Sequence, residues 1–321
     1  MWERGWRESI WGQLEQPWDV IVVGGGITGA GILREAARLG LRALLVEQRD
    51  FAWGTSSRSS KLVHGGLRYL QQGQVGLIQD SVRERDRLLV EAPGLVEPLG
   101  FLIALYKGER PGRWTYTAGL MLYDFLAGQR QYDHYSREDF LLLAPHVARA
   151  GLTGGLRYQD AQTDDTRLVL RVLREAVSEG GTALNYARVE GLLREAEEVV
   201  GVRLHDVESG CEAEVRARVV INATGAWADH LRGEVGAQRA IRPLRGSHLI
   251  FPAWRLPVAQ AIAITHPEDR RFLFAFPWEG ATVVGTTDLD HKPSLNEEPR
   301  ITSEEVEYLM RAIQVRFPEL G

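Results

Sequence analysis

The chain has 321 residues, yet only one of them is cysteine, Cys211, and only three of its 38 basic residues are lysines, Lys61, Lys107 and Lys292. A lone cysteine excludes an internal disulfide and a cysteine-based metal site, and it fits a reducing cytoplasm. The preference for arginine points to genome composition or adaptation to heat rather than to a function. Net charge is −5 with acidic and basic residues interspersed, so no basic field speaks for nucleic acid. No stretch approaches the ~20 apolar residues of a membrane span. The start, MWERGWRESIWGQLEQ, is charged throughout and does not read as a secretory signal. Within it Trp2, Trp6, Ile10 and Leu14 recur at helical spacing. With few basic residues opposite, that stripe is expected to dock on its own protein rather than on a membrane surface. Asp164 and Asp165 stand side by side, but no histidine or third carboxylate lies at ligand spacing, so they read as a helix cap and no metal is expected.

Against these absences stands residues 18–47, WDVIVVGGGITGAGILREAARLGLRALLVE. Residues 19–23 form an apolar run that meets Gly24, Gly26 and Gly29, the three positions of GxGxxG, where strand should turn into helix. The first glycine permits the tight turn and the second lets a pyrophosphate approach the backbone. The third lets helix pack close to strand, and unpaired N–H groups at the helix start bind the anion. Residues 43–46 read as a second strand that delivers Glu47, a carboxylate able to accept hydrogen bonds from both hydroxyls of an adenosine ribose. This is a βαβ unit suited to a dinucleotide. Ile27 and Thr28 at the helix start and Gln48 beside the acid belong to the same expected set of contacts.

A second signal is VVINATGAWAD, an apolar strand ending in Ala223, Thr224 and Gly225, where small residues let backbone approach a ligand. Between the two lies TSSRSSKLVHGGLRY, residues 55–69, dense in hydroxyls, glycine and positive charge. Placed just after the glycine-rich unit, this run resembles the FAD-dependent glycerol-3-phosphate dehydrogenases, of the D-amino-acid-oxidase-like superfamily of flavoproteins. In that family, the resemblance implies, the hydroxyl-rich loop wraps the flavin ribityl and pyrophosphate. Thr55, Ser56, Ser57, Ser60, Lys61 and Leu62 would then be cofactor contacts, as would His64 and Gly65 near the ring. Arg68 and Tyr69 would face the substrate. Further segments are similar to the family: Tyr123 with Asp124 to its "YD", DDTRL to its "DDARL", RGSHLIF to its "KGSH", and Gly285, Thr286, Thr287 and Asp288 to its "GTTD". Arg245 stands where lysine is common, keeping the charge and altering its reach.

The remaining pattern is coarse. Residues 75–89 read as an amphipathic helix with Arg83, Glu84, Arg85, Asp86 and Arg87 on a solvated face. The aromatics of residues 114–126 read as core. Ser136 and Asp139 form a capping-box arrangement. Residues 182–186 should add a parallel strand, and 188–193, 199–204 and 213–218 short antiparallel strands. Beyond residue 240, strands with interspersed aromatics suggest a largely antiparallel sheet, closed by a helix over 303–317.

The expected architecture is α/β: a Rossmann-like FAD-binding domain, with a parallel βαβ sheet and an antiparallel crossover, plus a largely antiparallel substrate-binding sheet domain. The division expected is 17–95 with 151–238 for FAD and 96–150 with 239–321 for substrate, after an extension of residues 1–16. The resemblance implies oxidation of sn-glycerol 3-phosphate to dihydroxyacetone phosphate, with hydride passing to FAD and electrons to a quinone. On that reading Arg68 and Arg245 bind the anion, Tyr69 orients the substrate, and His64 and His248 are the candidate bases. An amine or amino-acid oxidase and a non-catalytic flavin-binding fragment are the alternatives. The resemblance covers residues 18–317 but only the amino-terminal portion of the family's length, so a shortened chain is expected. It leaves open a homodimer and peripheral contact with the inner face of the cell membrane.

Overall fold

A computed structural model describes residues 2–66, 75–109, 112–127 and 132–319. The chain divides into two compact units, residues 1–59 with 164–243 and residues 60–163 with 244–321.

The first unit is built on a six-stranded sheet in the spatial order Thr182–Leu184, Ala43–Val46, Trp18–Val23, Glu212–Asn222, Glu198–Asp206, Ala187–Glu195. Trp18–Val23 pairs parallel with Ala43–Val46 on one side and with the end of Glu212–Asn222 on the other. Successive strand residues point to opposite faces, so Val20 and Val22 meet one core and Ile21 and Val23 another. On the first face lies the helix Ile27–Arg38, which buries Ala30, Leu33, Ala36 and Ala37, beside the helix Asp165–Ser178. The second face is covered by Val202, Leu204 and Val215 of the antiparallel strands and by Leu14.

Residues 212–222 form one strand rather than two. Its start runs antiparallel to Glu198–Asp206 and its end parallel to Trp18–Val23. The alternating pattern gives way to an apolar run with no turn residue between, so the chain continues straight through the change of partner. Residues 2–16 are likewise part of this unit and not a separate extension. The helix Trp6–Trp11 is followed by Leu14, 1% exposed, and Arg7 donates to Asp206 at 2.5 Å.

In the second unit an eight-stranded sheet runs His248–Pro252, Ala281–Gly285, Phe272–Trp278, Ala261–Thr265, Val96–Tyr106, Leu152–Thr163, Leu62–Val63, with Asp133–Tyr135 also paired to Leu152–Thr163. Its pairings are antiparallel except that between Ala261–Thr265 and Val96–Tyr106. Residues 60–95 and 151–163 therefore belong here and not with the glycine-rich unit. Leu62 pairs with Gln162, and Val96–Tyr106 pairs along Leu152–Thr163 for almost its whole length. The closing helix Ser303–Arg316 starts at Thr302, whose side chain and Glu305 form a reciprocal capping box. Ser136 caps Arg137–Leu143 and Asp164 caps Asp165–Ser178, each accepting from a backbone N–H three residues on.

Two side-chain expectations fail. Arg85, assigned to a wet face, is 1% exposed, because it follows Ile78 and Val82 on the buried side of the helix Val75–Glu91. In the helix Arg113–Ala127, Tyr123 is buried as core but Trp114 is 81% exposed. No helix among the described residues is long and apolar enough to cross a membrane.

Candidate functional site

The glycine turn of the first unit is shaped by what it touches. Gly24 has φ +115°, and a Cβ there would lie 2.5 Å from the carbonyl oxygen of Ala223. At Gly29 a Cβ would lie 1.9 Å from the carbonyl oxygen of Gly24, so helix and strand approach as only glycine permits. Val23 and Asn222 are register partners, and Ala223 donates its N–H to Val23 at 2.8 Å. The two segments read separately in the sequence thus meet at adjacent strand ends. Gly26 begins the helix without a side chain to cap it. Ser56 Oγ accepts from Ile27 N–H at 3.0 Å, and Thr28 is exposed.

Glu47 sits against this turn. Its carboxylate accepts from Gly25 N–H at 2.7 Å and from Arg49 N–H at 2.9 Å. Burial pushes its carboxyl above the ordinary carboxylate value, opposed by hydrogen bonds from the Gly25, Arg49 and Gln48 backbone. Of the roughly four acceptor positions of a carboxylate, two are filled at bonding distance, which leaves room for ligand hydroxyls. A residue not singled out in the sequence completes the turn. Asn222 Oδ1 accepts from both the N–H and the hydroxyl of Thr224, and its Nδ2 donates to the carbonyl of Ala228. A polar residue ending an apolar strand was the available signal. Gly225 follows at φ +57°. In the hydroxyl-rich loop, Thr55 opens a short turn and Ser57 commits its hydroxyl to the carbonyls of Trp53 and Gly54.

The second unit gathers other expected residues. Ser60 Oγ lies 2.8 Å from His248 Nε2. Burial, then the charge of Lys61, holds the imidazole below its ordinary value, so it is neutral at neutral pH. Leu62 is held in the sheet opposite Gln162. His64 is exposed, and Gly65 next to it donates its N–H to Asp160 at 2.9 Å. That carboxylate, 2% exposed, also accepts from Arg85 at 2.9 Å, and Arg85 donates to Tyr123 at 3.0 Å. A Cβ at Gly65 would lie 1.8 Å from the Tyr123 hydroxyl. The sequence reading passes over Asp160 and puts Arg85 on the solvated face; the signal for the pair is the helical spacing of Arg85 behind Val82.

Arg245 is placed otherwise than expected. Its guanidinium donates to Glu305 at 2.6 Å, and that carboxylate also accepts from Ser247, Thr287 and the Thr302 N–H. Its charge is matched within the fold, which weighs against a role as an anion ligand. Arg68 and Tyr69 lie outside the described residues. No cluster of three metal-binding side chains occurs among the described residues.

Comparison with known proteins agrees with this geometry. The family model described as FAD dependent oxidoreductase matches residues 19–321. The aerobic glycerol-3-phosphate dehydrogenase of Bacillus subtilis is 41% identical over 312 residues, 96% of this chain and 56% of that protein. Glycerol-3-phosphate dehydrogenase 2 of Mycobacterium tuberculosis is 39% identical over 317 residues, 96% of this chain and 53% of that protein. The crystal structure of the glycerol-3-phosphate dehydrogenase from Bacillus halodurans complexed with FAD superposes with a TM-score of 0.81 at 33% identity, covering 99% of this chain and 57% of that one. The chain therefore spans a little over half the length of the relatives it matches. With a glycine turn closed by Ala223, a partly open Glu47 and a family match across almost the whole sequence, the chain belongs to the FAD dependent oxidoreductase family.

Proposed function

We propose that this chain holds FAD and serves the oxidation of sn-glycerol 3-phosphate to dihydroxyacetone phosphate. The observation that carries the cofactor is the turn at Gly24, Gly29 and Ala223, where a Cβ on either glycine would strike a backbone carbonyl, so that strand end and helix start pack as closely as a dinucleotide-binding βαβ turn requires. The residues fit the group. The backbone at the start of Ile27–Arg38 would hold the diphosphate, and the free acceptor positions of Glu47 would receive the ribose hydroxyls. Thr224 and Gly225, fixed by Asn222, keep the strand end low enough for close approach. The substrate class follows the names of the relatives, at 41% and 39% identity.

Bound FAD supplies the hydride acceptor. The protein supplies a proton acceptor and an anion ligand. His248, neutral at neutral pH, takes the proton of the secondary hydroxyl, with His64 as the second candidate. Arg68 binds the phosphate dianion through its fork of donors, and Tyr69 orients the alcohol. On this reading the unit with the glycine turn is the cofactor domain and the antiparallel unit the substrate domain. Electrons pass on to a quinone, with the protein in the cytoplasm or at the inner face of the membrane.

The test is an absorbance spectrum of the flavin-reconstituted protein before and after anaerobic addition of glycerol 3-phosphate. Bleaching by glycerol 3-phosphate, and none by glycine or sarcosine, supports the reading. Flavin bound but bleached only by an amino acid replaces the substrate, and no flavin bound overturns the whole proposal.

A further inference from the structure

The hydroxyl of Ser60, a residue for which the resemblance implies a cofactor contact, lies 2.8 Å from Nε2 of His248, a residue 188 positions away. The surroundings fix both partners. Lys61, directly after Ser60, has φ +57°, and its carbonyl accepts from Thr163 N–H at 2.9 Å, so the backbone carrying Ser60 is tied to the sheet. On the other side His248 is the register partner of Gly285. A Cβ at Gly285 would lie 2.3 Å from Cδ2 of the imidazole, so the ring rests where only a glycine leaves space. Lys61 is the charged group whose field the ring feels, and it disfavours a second proton there.

A neutral imidazole carries one N–H and one lone pair, and the partner of one nitrogen decides the role of the other. Among the described residues Nδ1 of His248 has no hydrogen-bond partner, whereas Nε2 has Ser60. The serine hydroxyl can donate to Nε2 or accept from it; the base role of the proposed function needs the lone pair on Nδ1, the nitrogen without a protein partner, which puts the single N–H on Nε2. We propose that Ser60 is a positioning residue: its Oγ accepts from Nε2–H of His248, which orients the ring and leaves the Nδ1 lone pair as the one that exchanges a proton. The use of that lone pair in alcohol oxidation rests on the proposed function, but the hold of Ser60 on the ring does not.

The test is nitrogen-15 NMR of the flavin-loaded full chain with labelled histidine, His248 being assigned by the signals lost in His248→Gln. Wild type is expected to show a neutral ring protonated at Nε2 at pH 7.5. Ser60→Ala, which removes one oxygen and adds no bulk, is expected to shift the ring toward mixed tautomers. Its kcat on glycerol 3-phosphate should fall about tenfold, part of the ~10²–10⁴ that a positioned base contributes, while KM changes by less than about twofold. Ser60→Thr, which keeps the hydroxyl, should restore the wild-type tautomer. A ring protonated at Nδ1 in wild type, or nitrogen shifts unchanged in Ser60→Ala, overturns the proposal. Shifts that respond to Ser60 in a protein that does not turn over glycerol 3-phosphate support the hold on the ring and remove only the substrate.

Discussion

Glu47 of the first unit and Glu305 of the second are carboxylates of opposite use. Glu305, 2% exposed, has its acceptor positions filled by Arg245, Ser247, Thr287 and the Thr302 N–H. Burial acts to raise its carboxyl, but those hydrogen bonds, Thr287 first, and then the charge of Arg245 hold it below the ordinary value. Glu47 accepts at bonding distance from only two backbone N–H groups, Gly25 and Arg49, and burial wins, so its carboxyl is raised. A saturated carboxylate is a rivet. One left short of partners is stabilised as an anion only when something else donates to it, as the hydroxyls of a ribose do.

The comparison breaks most readily at the turn that Glu47 guards. Gly29→Val places its side chain within the Gly24 carbonyl and should abolish flavin binding, losing at least about 3 kcal/mol of stability, measured by flavin absorbance and urea unfolding. In the second unit Asp160→Asn takes from Arg85 the more deeply buried of its two carboxylate partners and leaves it Asp86, an expected cost of about 1.5–3 kcal/mol in the urea midpoint. Glu47→Gln keeps the size and loses the charge. FAD affinity should fall by about 10-fold or more by titration, the ~1.5–3 kcal/mol of a charge-assisted hydrogen bond, whereas Glu305→Gln should lower stability and leave the affinity alone.

Protonation sharpens the same contrast. The ligand draws the ionised form of Glu47, whose carboxyl in the free protein sits above 4.5, so FAD affinity should fall as pH is lowered through that raised value. In Glu47→Gln it should stay flat, as isothermal titration between pH 4.5 and 7 would show. For His248 the shift is the other way. Turnover should keep its neutral base until pH drops beneath 6.5, and Lys61→Met should move that acid limb slightly upward in the pH–rate profile. Smallest is Thr302→Ala, about 1 kcal/mol from the lost cap of the closing helix, read in the urea midpoint.

What was legible in the sequence was what local spacing encodes. Gly24, Gly29 and Glu47 are joined by one helix and one strand, and the resulting turn followed from period and glycine alone. The caps at Ser136 and Asp164 were readable for the same reason, since donor and acceptor are three residues apart. The second unit resisted. Ser60 with His248, and Arg245 with Glu305, are pairs whose members lie 188 and 60 positions apart, and no local pattern says which of two arginines finds a carboxylate. Arg85 shows the limit most clearly. Its helical position was as informative as that of Val82, but its charge argued for water until Asp160 was seen to accept from it.

Asn222 carries the last consequence. One short side chain accepts from Thr224 with its oxygen and donates to Ala228 with its nitrogen. Aspartate would repel the Ala228 carbonyl, and serine has too little reach to join both. The strand end is thus latched before any ligand arrives, so a dinucleotide entering there spends little of its binding energy on organising the polypeptide.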